Sequence, residues 1–155
     1  MSDLAARTVV RAGLCGAVLL SLGAFPLGCG RDSGGEAQEQ SNLKPLAILY
    51  GQYTGQHQGR PPANEAEFKE YVRSQSTMLE SFQVTDPESL FISSRDEKPY
   101  VIKYGAADGP PGPGGYPVVA YEQEGVGGKR FVASSVGAVD EVDEAKFKEL
   151  VPDAP

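Results

Sequence analysis

Apolar residues in this 155-residue chain change their spacing once, and that change limits the folds open to it. Up to about residue 82 they recur every three or four positions, and from Tyr100 onward they alternate. The first spacing lines one face of a helix and the second one face of a strand. Leu43, Leu46, Ala47, Tyr50, Tyr53 and His57 form the first stripe, with Asn42 or Ser41 placed to cap it. Pro45 falls in the first turn, where its missing N–H has no intrahelical partner to lose. Gly59 and Pro61-Pro62 end the run. Gly51 and Gly55 each cost a helix about 1 kcal/mol against Ala. The bare row they leave predicts close approach of a neighbouring element, most simply the sheet. Asn64 and Glu67 have the spacing of a capping box for a second helix burying Phe68, Tyr71 and Val72. Met78, Leu79 and Phe82 keep a helical spacing until Asp86-Pro87 breaks it.

In the second half, Tyr100, Ile102 and Tyr104 alternate with Val101 and Lys103, the pattern of a half-buried strand. Residues 105–117 hold five Gly and four Pro and read as a loop. Val119 and Tyr121 are expected on one face of the next strand, with Val118 and Ala120 on the other. Gly125, Gly127 and Gly128 turn the chain into a third strand around Phe131, Val132 and Ala133. Gly137 breaks it, Val139 and Val142 follow, and Asp143 is placed to cap a last helix carrying Phe147, Leu150 and Val151. The whole predicts an α+β fold: an N-terminal helix packed on a small antiparallel meander of three or four strands, with a short C-terminal helix.

Ahead of the first helix, Arg7 and Arg11 precede an uncharged stretch, residues 12–28, rich in Leu, Val, Ala and Gly. It is shorter than the roughly 20 residues of a spanning helix and contains Pro26. A basic start, an apolar middle and small residues at the end make residues 1–28 a secretory signal peptide. Its close, Pro26-Leu27-Gly28-Cys29, resembles the lipobox of bacterial lipoproteins. That resemblance implies that the Cys29 thiol is acylated and becomes the mature N-terminus. Leu27 and Gly28 suit the pattern, and Pro26 stands where Leu is usual. Cys15 lies inside the apolar stretch with Leu14, not a small residue, before it. A plain cleaved signal peptide and a retained N-terminal anchor are the alternatives.

Once residues 1–28 are gone, Cys29 is the only cysteine, so no intrachain disulfide can form even in an oxidising compartment. Residues 29–41 then read as a lipidated Cys and a flexible polar tether spanning on the order of 20 Å, and residues 42–155 as the globular domain. Losing Arg7, Arg11 and Asp3 leaves 12 basic against 20 acidic side chains, a balance of −8. No basic patch then faces lipid headgroups, and acyl chains, at about 0.8 kcal/mol per buried CH₂, must do the anchoring. The same balance argues against a nucleic-acid partner. The lipoprotein resemblance further implies an exported protein, lipid-anchored in the cell membrane or outer membrane, with its domain facing the periplasm or exterior. Gly30, in place of the Asp that retains lipoproteins at the inner membrane, favours the outer one.

A second resemblance covers most of residues 43–151. Leu49-Tyr50-Gly51-Gln52-Tyr53 through His57-Gln58-Gly59-Arg60-Pro61-Pro62 is similar to the end of the long helix of type IV pilins and type II secretion pseudopilins. Asp96-Glu97-Lys98-Pro99-Tyr100-Val101 is similar to the run that opens their sheet. The C-terminal part, Ala120-Tyr121-Glu122 and Gly127-Gly128-Lys129-Arg130-Phe131-Val132-Ala133, then Ser134 to Val139 and Glu144 to Leu150, resembles the pilin-like proteins that end in a DGH motif. Val136 and Ala138 replace the Asp and His of that motif, and Ser takes the place of the Cys of the related Cys-Pro segments, near Ser93-Ser94. No prepilin cleavage site of the Gly-Phe-Thr-Leu-Ile-Glu type is present. The resemblance implies the globular half of a pilin, retethered by lipid.

Few residues carry chemistry. His57 is the only histidine, so any general base or proton shuttle would rest on it alone, and the plainer reading is a ring packed at a helix end. One His and two Cys are too few for a structural zinc site. Ser74, Ser76, Ser81, Ser89, Ser93, Ser94, Ser134 and Ser135 lie in no nucleophile elbow, although Ser-Lys pairs stay open on composition. The loop 105–117 lacks the Lys-Ser/Thr end of a phosphate cradle. Asp140, Glu141 and Asp143, with Glu144, are a weak candidate Ca²⁺ site, as in some pseudopilins. The plainer reading of that cluster is a solvated acidic turn favouring a helix N-terminus. Arg95-Asp96 is expected to make only a local turn hydrogen bond. No catalytic residue and no cofactor are assigned. The expectation is a non-enzymatic envelope lipoprotein, structural or binding another envelope protein. The alternatives are a minor subunit of a secretion or pilus-like assembly, and a small periplasmic ligand-binding domain or enzyme with residues 105–117 as its lid.

Overall fold

A computed structural model describes residues 41–105 and 108–154; the expected signal peptide, Cys29 and the expected tether as far as residue 40 lie outside the described residues. Helix α1, Leu43–Gln56, buries Leu43, Leu46, Ala47, Leu49, Tyr50 and Tyr53. Leu49 lies off the stripe read from the sequence and is buried because α1 is covered on more than one face. Ser41 caps it, its Oγ accepting the Leu43 N–H at 3.1 Å. The Asn42 amide instead donates to the carbonyls of Ser89 and Ile92.

Helix α2, Glu65–Ser74, starts on Asn64, whose Oδ1 accepts the Glu67 N–H at 3.0 Å. Glu67 does not return the bond to Asn64; its carboxylate takes the Ala63 N–H at 2.8 Å and the Tyr53 hydroxyl. The short helix α3, Ser76–Ser81, and a 3₁₀ turn, Pro87–Phe91, follow. The turn is capped by the Asp86 side chain.

Four strands, β1 (Val101–Ile102), β2 (Val118–Tyr121), β3 (Lys129–Ser134) and β4 (Val139–Asp143), form one antiparallel sheet in the order β1-β2-β3-β4. Helix α4, Glu144–Leu150, closes the fold, with Asp143 Oδ1 accepting the Lys146 N–H at 2.8 Å. The expected α+β architecture is therefore the observed one. An apolar cluster lies against each face of the sheet. Phe131, Ala133 and Val139 join α1 and α2, while Val132 and Val142 join Phe147, Leu150 and Val151.

Strand β2 departs from the expected alternation. Val119 and Ala120 both belong to the α1 cluster, and Val118 and Tyr121 both to the α4 cluster. The register against β3 slips between Val118 and Ala120. A bulge of one residue resets the side-chain phase, so neighbours share a face and all four residues are buried. Residues 108–117 are folded on themselves: Pro111 bridges Pro117, Pro113 is buried in a 3₁₀ turn, and the Gly112 N–H donates to the Tyr116 carbonyl at 2.9 Å.

The two helix glycines have different surroundings. A Cβ on Gly51 would sit 1.8 Å from the Ser135 carbonyl oxygen, in the turn joining β3 to β4. In the same turn Gly137, at φ +77°, would put a Cβ 2.4 Å from Ile48 Cγ1. The turn is thus seated against α1 at two positions where only hydrogen fits. Gly55 has no neighbour within 4 Å and is not part of that contact. We expect Gly55→Ala to stabilise the protein by about 1 kcal/mol through helix propensity and a less flexible unfolded chain. Gly51→Ala should destabilise it by about 1–3 kcal/mol through overpacking. Urea unfolding of both variants checks the opposite signs.

Candidate functional site

The carboxylate of Glu122 has no exposed surface. A charge taken out of water costs several kcal/mol unless donors surround it. Glu122 follows β2 directly, where the ladder ends irregularly. Its N–H donates to the Phe131 carbonyl at 3.0 Å. The returning Phe131 N–H is accepted by the Glu122 side chain, Oε2 at 2.8 Å. The Ser93 hydroxyl donates to Oε1 at 2.9 Å. Arg95 Nη1 stands 3.4 Å from Oε2, close enough for an ion pair but without hydrogen-bond geometry.

Arg95 carries the network outward. Its Nη2 donates to Glu141 Oε1 at 2.9 Å, and Lys129 Nζ lies 3.7 Å from the other oxygen of Glu141. The guanidinium also lies 4.0 Å over the Phe131 ring, a favourable stacking for a weakly hydrated cation. Asp96 ties in the loop between β2 and β3, accepting from the N–H groups of Gly125 at 2.9 Å and Glu124 at 3.4 Å, and from Lys98 at 3.2 Å. Burial opposes ionisation of Asp96, but these donors together with Ser93 outweigh it and hold the carboxyl below its usual range. The Arg95-Asp96 pair, expected to make only a local turn bond, instead joins the 93–98 turn to β2, β3 and β4. The Tyr100 hydroxyl, 3.1 Å from Ser41 Oγ, fastens the residue that caps α1 beside it. Burial pushes the Tyr100 phenol up.

Strand alternation sends Asp140 and Glu141 of β4 to opposite faces, so the acidic run is not gathered into one loop. Glu141 is paired with Arg95 and Lys129, and Asp143 caps α4. Among the described residues no group of three or more His, Cys, Asp or Glu is placed to hold a metal ion. His57 stacks on Tyr53 with ring centroids 3.9 Å apart, its Nδ1 2.7 Å from the Tyr53 carbonyl oxygen. Tyr71 meets both rings edge-on. Cys29, the expected lipidation site, lies outside the described residues.

Several depressions mark the surface of the described residues. An open cleft of about 600 Å³ is lined by Arg73, Ser76, Leu79, Gln83, Val84 and Pro87, with Arg73 already bonded to Glu88. A groove of about 280 Å³ is lined by Lys69, Phe91, Ile92, Pro99, Ile102 and Tyr104. There Lys69 Nζ lies 2.7 Å from Glu65 and 3.3 Å from Glu88. No helix among the described residues is long and apolar enough to cross a membrane. No family model matches the chain, and no similar curated protein or solved structure was found.

Periodicity could not reveal the Glu122 network, whose members come from four separate segments. The one local signal is a charged residue placed straight after four buried ones.

Glu122→Ala should destabilise the protein by about 2–4 kcal/mol, because it leaves the Phe131 N–H and the Ser93 hydroxyl without an acceptor and takes from Arg95 one of its two carboxylates. Urea midpoints at neutral pH check this. Asp96 sets an acid limb. Its folded pKa is lowered, so its contribution is present above the unfolded value near 3.9 and fades as pH falls through the folded value. Asp96→Asn should therefore be less stable near neutrality and lose less on acidification, which unfolding midpoints between about pH 6 and pH 2.5 would read.

Proposed function

We propose that this protein is a non-enzymatic, lipid-anchored protein of the bacterial cell envelope, whose pilin-like domain binds another envelope protein or has a structural role. The observation that carries the reading is Ser41, the first described residue after the polar run. The polar run from Gly30 to Gln40 ends at Ser41, which is buried, caps α1 and is fastened to Tyr100. Leu43, two residues on, is fully buried. A run of polar sequence ahead of α1, with Leu27-Gly28-Cys29 before it, is the order of segments expected of a tethered lipoprotein. The helix-then-meander order of the domain supports the pilin comparison.

In this arrangement the acyl groups on Cys29 hold the protein at the bilayer, and the acidic domain stands clear of it by the length of the tether. Intact mass of the membrane-extracted protein, for wild type and Cys29→Ser expressed in a bacterium, tests it. The wild type should begin at Cys29 and carry acyl mass, and the variant should lose both that mass and membrane retention. An unmodified wild-type mass beginning at another residue would overturn the reading.

A further inference from the structure

We draw no further inference here: the strongest candidate, the half-apolar groove between α2 and the β1 edge lined by Phe91, Ile92, Pro99, Ile102 and Tyr104, carries none because nothing in the structure shows what covers it.

Discussion

A carboxylate with no path to water must find its partners within the fold, and Glu122 finds them on two separate stretches of chain, the 93–98 turn and β3. That requirement places the 93–98 turn against the end of β2 and fixes where the β2–β3 ladder stops. It also draws Arg95 into a position where it reaches Glu141 on β4. A network of this kind adds little net stability over an apolar replacement of the same shape. Its effect is on arrangement: with one partner missing, the buried charge left behind makes every near-native alternative costly. The sheet, the turn and the start of α1 are consequently set by one another.

Around that centre the apolar residues are divided between two clusters, and β2 supplies both. The bulge at Val118–Ala120 lets a four-residue strand bury every side chain without giving up its place between β1 and β3. Helix α1 is the other shared element. It contacts β2, β3, α2 and the 3₁₀ turn, which explains why its burial extends beyond a single stripe. At Ile48 and Gly51 the β3–β4 turn meets it so closely that the identity of two glycines becomes a packing requirement.

Much of this fold is legible in the sequence because it follows from periodicity and local capping. The spacing from Leu43 to Tyr53, the Asn64 cap, the Asp143 cap and the strand around Phe131 all express short-range geometry. What stays hidden depends on distant partners. A bulge changes the phase of a strand without changing its composition, so Val119 and Ala120 look alternating on paper. Asp140, Glu141 and Asp143 look like a turn because acidic runs avoid strands, yet pairing with β3 places them in one. Arg95 and Glu122 are 27 positions apart, and no local rule joins them. Of the lipidation reading, only Ser41, the last residue of the expected tether, falls within the described residues.

Strand β4 stands at the margin of the sheet, with β3 on one side only. An open strand margin presents unpaired backbone groups, a template on which another chain can add and begin an aggregate. Three of the five residues of β4 are carboxylates, Asp140, Glu141 and Asp143. Two copies meeting margin to margin would bring carboxylates of both chains together on each face of the joined strands, and like charges set opposite one another disfavour such pairing. Charged side chains on an edge strand work against self-pairing, an effect that matters more as copies become more concentrated.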